Sequence, residues 1–123
     1  MRAYTVAAAA VTLRMPVKWI DNVLSHHTVP GVARSRQGVS RRLTPQAILS
    51  LEIAIRLSNA LSIPVARSLE LATRLVREHG ELSAGKGLTL ALDIEVIQAE
   101  LAERLANAVE IAPLPRRGRP SKS

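Results

Sequence analysis

The stretch that follows Thr44 is apolar on nearly every side when it is wound as an α-helix. Thr44 can cap this helix, and Pro45 suits its first turn, where a missing N–H costs nothing. Its large apolar residues form two faces, Ile48, Leu51 and Ile55 on one and Ile53, Leu57 and Leu61 on the other. A helix that is apolar all round has to be buried. The sequence therefore predicts a mainly α fold that encloses this helix.

Two short helices are predicted before the buried one. Thr5 can cap the first, whose apolar positions repeat at helical spacing: Val6, Ala9, Ala10 and Leu13. Arg14 and Met15 turn the chain, and Pro16 opens the second helix, which runs to residue 25. Its inner face is predicted to carry Val17, Ile20 and Leu24, and its outer face Lys18, Asp21, Asn22 and Ser25. Two short helices joined by a tight turn indicate a helix-turn-helix with residues 16–25 as the recognition helix.

After the recognition helix the chain is predicted to become extended. Segments 32–34 and 39–43 should pair as a two-stranded ribbon, with the reversal at Gln37 and Gly38. Because an isolated hairpin is only marginally stable, this ribbon is expected to pack on the helices as a wing.

The second half of the chain is predicted to contain one more core helix and a lone strand. The helix begins after Pro64 and stops at Gly80. Residues 83–87 should form a flexible loop and residues 88–92 a single strand. A strand needs a partner, and since the wing is the only other ribbon, the expected partner is a copy of the strand in a second subunit.

Asp93 can cap a last helix with an apolar inner face and an acidic outer one. The inner face comprises Ile94, Ile97, Leu101, Leu105 and Ala108 or Val109, and the outer face Glu95, Glu103 and Glu110. Two interpretations stay open. The helix folds back on the third and fourth helices as part of the core, or it forms a dimer or partner seam, although fewer than three clean heptads are present.

These elements divide the chain into three predicted parts. Residues 1–79 form a winged helix-turn-helix domain with a small β-hairpin wing. Residues 80–112 form an additional strand and helix for dimerisation or partner binding, and residues 113–123 a disordered basic tail.

Composition excludes several classes of chemistry. The chain has no Cys, which rules out disulfides, thiolate metal sites and Cys nucleophiles. His26, His27 and His79 lack the surrounding carboxylates or ligand spacing of a metal or catalytic site, so neither an enzyme nor a cofactor is expected. The first two should instead end the recognition helix. No apolar run approaches the roughly 20 residues of a membrane span, so a cytoplasmic, nucleoid-associated protein is expected.

The net charge of +7 is unevenly distributed along the chain. Residues 1–43 hold seven Lys/Arg against one Asp, and residues 113–123 add four more cations. Residues 44–112 hold six Lys/Arg against nine Asp/Glu. Basic ends around an acidic middle indicate a nucleic-acid surface at the N-terminus, a second cationic contact at the C-terminus, and a scaffold or partner surface between them.

Three segments carry a resemblance to a known family: Tyr4-Thr5-Val6, Met15-Pro16-Val17-Lys18-Trp19-Ile20 and Gln37-Gly38-Val39-Ser40-Arg41-Arg42-Leu43-Thr44-Pro45. Over roughly residues 4–76 they resemble the opening helix, recognition helix and Gly-x-x-Arg-Arg-aromatic wing of MerR/excisionase-like winged helix-turn-helix proteins. The resemblance implies that fold and DNA binding. Leu43 stands where the family usually has Tyr or Phe, and Asp21-Asn22 replace a common aromatic, so no base preference is implied.

The C-terminal tail is predicted to contact DNA as well. Pro113, Pro115 and Pro120 block a helix, and an extended Arg-Gly-Arg-Pro ribbon fits the narrow minor groove over A·T tracts. This segment resembles the core of an AT-hook, with contacts expected from Arg116, Arg117, Gly118, Arg119 and Pro120. The alternative is a solvated basic end.

Within the winged domain, Lys18 and Asn22 are the predicted readers of base edges, because Asn can address adenine with two hydrogen bonds and Lys can address guanine acceptors. Five arginines are expected to grip phosphates or the adjacent minor groove: Arg14, Arg34, Arg36, Arg41 and Arg42. Trp19 is expected to pack between the recognition helix and the wing.

The resulting hypothesis is a small, homodimeric, sequence-specific regulator of transcription that binds double-stranded DNA. One alternative is an architectural, excisionase-like protein that bends DNA with weak sequence preference. Another is an antitoxin-type protein whose residues 80–112 dock a protein partner while DNA binding serves autoregulation.

Overall fold

The computed structural model describes residues 3–33 and 41–111, with residues 110 and 111 described by their backbone alone. The described elements, in chain order, are β1 (Tyr4–Thr5), α1 (Val6–Leu13), α2 (Val17–His26), β2 (Val32–Ala33), β3 (Arg42–Leu43), α3 (Pro45–Leu61), α4 (Val65–Arg77), β4 (Glu81–Gly85), β5 (Leu88–Ala91) and α5 (Ile94–Ile111). The mainly α class is confirmed. None of the helices in these ranges is long and apolar enough to cross a membrane.

Helix α3 lies at the centre of the core, as its sequence predicts. Every residue from Ala47 to Ala54 is buried, and so is Leu57. The Thr44 hydroxyl accepts a hydrogen bond from Ala47 N, and Pro45 occupies the first turn. Leu61 in the last turn is exposed, contrary to the all-round pattern. Periodicity gives the direction of a side chain but not how far the neighbouring helices extend to cover it.

Helices α1 and α2 form the predicted pair. The Thr5 hydroxyl caps α1, and Arg14 ends it in the left-handed conformation with φ 58°. Pro16 takes the position just before α2 rather than its first helical position. The predicted inner face of α2 is partly wrong, because Ile20 and Val23 are the buried residues and Val17 is 45% exposed. The helix is rotated about its axis so that Ile20 and Val23, which are three positions apart, enter the core, whereas Val17 in the first turn does not.

A three-stranded antiparallel sheet in the order β1-β3-β2 flanks the two helices. β2 pairs with β3 through Val32 opposite Leu43, which confirms the base of the predicted ribbon. The predicted reversal at Gln37 and Gly38 lies outside the described residues. β1 also pairs with β3. This strand was not predicted, because Thr5 was interpreted only as the cap of α1.

The second half departs from prediction at the lone strand. Residues 83–87 are not a loop, since β4 runs to Gly85 and pairs with β5 as an antiparallel hairpin within the same chain. The proposed pairing of segment 88–92 with its copy in a second subunit is therefore wrong. β4 was not predicted because Ser83 and Gly85, which form its second half, are residue types typical of loops.

Gly80 connects α4 to the last helix through a position that only glycine fits. Its φ is +99°, its N–H donates to Leu75 O at 2.8 Å, and its carbonyl accepts from Leu92 N at 2.7 Å. A Cβ there would lie 2.6 Å from Leu92 O. These bonds bring the start of α5 against the end of α4.

Helix α5 packs within its own chain. Asp93 caps it by accepting a hydrogen bond from Val96 N at 3.2 Å, as predicted. Its buried residues are Ile97, Leu101, Leu105 and Ala108. Of the two interpretations that the sequence left open, the core helix is therefore the one observed. Its main contacts are with α1 and α3 rather than with α3 and α4.

Candidate nucleic-acid interface

The outer face of α2 presents the two residues that were predicted to read bases. Ile20 and Val23 anchor the helix in the core, so the opposite side is left to solvent. Lys18 and Asn22 are both exposed and lie one helical turn apart on that side. A three-donor ammonium and an amide that both donates and accepts therefore face outward together, within reach of one extended ligand.

Arg41, predicted to grip phosphate, is instead held across α2. Its Nη1 lies 3.6 Å from Asp21 Oδ1, and its Nη2 donates to Ser25 Oγ at 3.3 Å. Ser25 Oγ donates in turn to Asp21 O at 2.7 Å. We call Arg41, Asp21 and Ser25 the Arg41 latch. The latch ties the residue just before β3 to the outer face of α2 and places a cation beside Asp21, the only acidic residue of that helix.

A polar cleft of about 260 Å³ opens next to the latch, at the C-terminal end of α2. Arg41, His26 and His27 all line it. His26 Nδ1 lies 2.8 Å from Asn22 O, which fits the prediction that the histidine pair ends the helix at its free carbonyls. The cleft extends the cationic surface beyond the side chains of Lys18 and Asn22.

The other predicted phosphate contacts are placed differently. Arg42 lies on β3 opposite Thr5 and Ala33, and its Nη1 is buried with no hydrogen-bond partner in the described part of the chain. Arg14 is exposed, but its charge acts on Glu100 of α5. Predicted contacts outside the described residues are Arg34, Arg36, Arg116, Arg117, Gly118, Arg119 and Pro120.

Trp19 packs as predicted, although its surroundings differ. It is half-buried against the core. Together with Asn22 and Val65 it lines a shallow cleft between α2 and the start of α4. One side of Trp19 therefore faces α4, while residues 34–40 of the predicted wing lie outside the described residues.

A charge network behind this surface was not predicted from the sequence. Glu52 of α3 is buried, and its two carboxylate oxygens lie 2.7 Å from Arg56 Nε and 3.4 Å from Arg104 Nη1. Arg56 Nη2 reaches Glu100 Oε1 at 2.7 Å, and Arg104 Nη2 lies 3.9 Å from the same oxygen. Arg104 also donates to Thr12 O at 3.5 Å. The network ties α1, α3 and α5 together. Its sequence signal is two i,i+4 Glu-to-Arg pairs, one of them inside the buried helix α3.

The network shifts the pKa of its outer members. Arg56 lowers the pKa of Glu100 below its ordinary value of 4.5, first through its hydrogen bond to the carboxylate and second through its positive charge. The same bond to Glu100, followed by the bond to Glu52, raises the pKa of Arg56. Both shifts favour the charged forms, so the pair is ionised throughout the neutral range.

The pKa of Glu100 predicts acid sensitivity. A carboxyl with a lowered folded-state pKa stabilises the fold fully above about pH 4.5, and this stabilisation is lost as the pH falls through the folded value. We expect the free energy of unfolding, measured by urea denaturation between about pH 6 and pH 3, to fall less steeply in Glu100→Gln than in the parent chain. Glu103→Gln, an exposed substitution on the same helix, should keep the parent slope. If the free energy of unfolding fell equally steeply with pH in the two variants, Glu100 would not be the cause of the acid sensitivity.

The described residues hold no group of three or more His, Asp or Glu side chains that could bind a metal ion. No family model, curated protein or solved structure matches this chain. The resemblance to winged helix-turn-helix proteins therefore stays a prediction from its motifs. What can be argued about function comes from the α2 surface itself.

Proposed function

We propose that this chain is a small, sequence-specific DNA-binding regulator of transcription in which α2 enters the major groove. The observation that carries the proposal is the pairing of Lys18 with Asn22 on the outer side of a helix whose inner side is locked in the core. The major groove is about 12 Å wide and admits an α-helix. A rigid helix that presents an amide and an ammonium one turn apart can therefore reach neighbouring base edges.

The Arg41 latch supports this use of α2. Asp21 is half-exposed and would repel phosphates if it were unpaired, but Arg41 lies close enough to neutralise it. The latch also holds the base of the β2–β3 ribbon beside α2. The intervening segment, which includes Arg34 and Arg36, would then approach the same DNA as a wing, in a winged helix-turn-helix.

The charge distribution favours a nucleic-acid ligand for this end of the chain. Residues 1–43 hold seven cations and a single acidic residue, Asp21. Six positive charges therefore have no acidic counterpart within that segment. Counterion release from phosphates would supply most of the non-specific affinity, while Lys18 and Asn22 would supply discrimination. A homodimer on paired half-sites, with the C-terminal Arg-Gly-Arg-Pro in nearby A·T-rich minor groove, completes the proposal.

The test is capture of sheared genomic DNA by the full chain and by a version that ends at Ala112, both at one near-physiological salt concentration. Salt has to be held constant because each neutralised phosphate changes the salt slope by about 0.9. We expect a few sharp sites that share a repeat, weakened but not moved by loss of the tail. Broad retention of A·T-rich DNA that disappears with the tail would identify an architectural binder instead. No retention by either version would refute DNA binding.

A further inference from the structure

An open groove of about 1010 Å³ lies on the side of the molecule formed by α3, the end of α4 and α5. It shares no residue with the proposed DNA-binding face of α2. Its apolar lining comes from four elements or their junctions: Leu49, Val76, Leu92, Leu101 and Leu105. We call this surface the α3–α5 groove.

The dimensions of the α3–α5 groove suit a helix better than a small molecule. Its volume is at the upper limit of the roughly 300–1,000 Å³ typical of small-ligand pockets. It follows one side of α5 from Ile94 to Leu105, which at 1.5 Å per residue is about 16 Å, or three helical turns. An amphipathic helix that lays its apolar face into a groove uses anchors over this length.

The charges at the groove specify the occupant further. Asp93 and Glu95 contribute carboxylates to its lining, and no Lys or Arg does so. The surrounding residues 44–112 also carry more acidic than basic side chains. An occupant with acidic flanks would be repelled, whereas Lys or Arg beside its apolar stripe would complement the rim.

Two occupants from this chain itself fit less well. A second copy meeting the first groove to groove about a two-fold axis parallel to α5 would bring Asp93 and Glu95 towards the same carboxylates of its partner. The chain's own C-terminal tail is cationic, but after Ala112 its only large apolar residue is Leu114. Leu49, Leu101 and Leu105 are buried at the floor of the groove, and one apolar anchor would cover little of the roughly 16 Å along which Val76, Leu92 and Ile94 stay partly exposed.

We propose that the α3–α5 groove docks a cationic amphipathic helix of a partner protein. The interaction goes beyond DNA binding and can occur at the same time, because α2 lies outside the groove. The acidic middle of the chain would attract the protein partner, whereas its basic ends would attract DNA.

The test uses an 18-residue helical peptide with Leu at i, i+3, i+4 and i+7 spacing and Lys elsewhere, labelled for fluorescence anisotropy. The full chain should bind it, and an analogue with Glu in place of every Lys should bind at least tenfold more weakly. Ala102→Trp fills the groove from an exposed position and should weaken peptide binding at least tenfold. Ala106→Trp, equally exposed on α5 but outside the groove, is the matched control and should leave binding unchanged.

A second pair of variants tests the rim charge. Glu95→Gln should weaken binding about two- to fivefold, the effect of one solvent-screened charge, while Glu103→Gln outside the groove should not. Thermal unfolding of each variant checks that the fold survives. No DNA is present in these measurements, so their outcome is independent of the genomic capture.

Three results would overturn the proposal. The first is absence of Lys-peptide binding, or equal binding of the Glu analogue. The second is binding that appears only in the version ending at Ala112, which would make the tail the occupant. The third is a dimer in light scattering that Ala102→Trp converts to a monomer, which would make a second copy the occupant.

Discussion

Replacing both Lys18 and Asn22 by alanine is expected to weaken binding to the specific DNA site by at least about thirtyfold. A well-formed contact from a side chain to a base edge contributes about 1–3 kcal/mol of discrimination, and every 1.4 kcal/mol is a factor of ten. Both side chains are exposed, so the fold should tolerate the change. The measurement is fluorescence anisotropy at constant salt, with a site recovered by genomic capture and a shuffled version of it.

The chain offers a control of identical composition. Lys86 in the β4–β5 turn and Asn59 near the end of α3 are exposed and belong to elements other than α2. The variant Lys86→Ala with Asn59→Ala loses the same charge and the same amide, so it should retain specific binding. An equal loss in the two double variants would mean that net charge alone governs affinity. An equal loss on specific and shuffled DNA in the α2 variant would assign Lys18 and Asn22 to phosphate rather than to bases.

Replacing Glu52 by alanine is expected to lower the free energy of unfolding by about 3 kcal/mol, because breaking a buried ion pair leaves its partners uncompensated. The Glu52 side chain is only 7% exposed and is the carboxylate shared by Arg56 and Arg104. Without it the two guanidinium groups face each other, with Glu100 alone between them. Since Arg56 and Arg104 are 37% and 25% exposed, water screens part of the penalty. The measurement is urea denaturation followed by circular dichroism.

Glu70→Ala is the matched control for this substitution. Glu70 also pairs with an arginine, Arg67 at 2.5 Å, but both side chains are more than half exposed. Ion pairs of this kind contribute at most about 1 kcal/mol, so the control should lose no more than that. If Glu52→Ala costs no more than Glu70→Ala, the network does not hold α5 to α3. Apolar packing of α5 alone would then account for its position.

The helices could be predicted from the sequence because their boundaries depend on local chemistry. Thr5, Thr44 and Asp93 cap helices whether or not the rest of the chain has folded, and each does so in the structure. The strands could not be predicted equally well. β1 has only two residues and is a strand only because it pairs with β3, and β4 ends in Ser83-Ala84-Gly85, whose residue types indicate a loop.

The candidate site, too, has residues whose positions could be predicted from the sequence and residues whose partners could not. Helical periodicity predicts that Lys18 and Asn22 share an outer face, because that relation lies within one helix. The partners of Arg41 could not be predicted, since residues 41 and 21 meet only when β3 packs beside α2. Arg14 was also grouped with the DNA contacts, and it is exposed at the end of α1.

Residue type and spacing were enough to predict the helical class, the buried position of α3, the exposed pair on α2 and the separation of basic ends from an acidic middle. These properties follow from the order of residues along the chain. The packing of distant elements was needed to find which residue compensates Asp21, how Glu52 is paired inside the core, and that α3 and α5 leave a groove between them. Each of these depends on the distance between elements far apart in the chain, which is set by how their side chains pack and not by any local pattern.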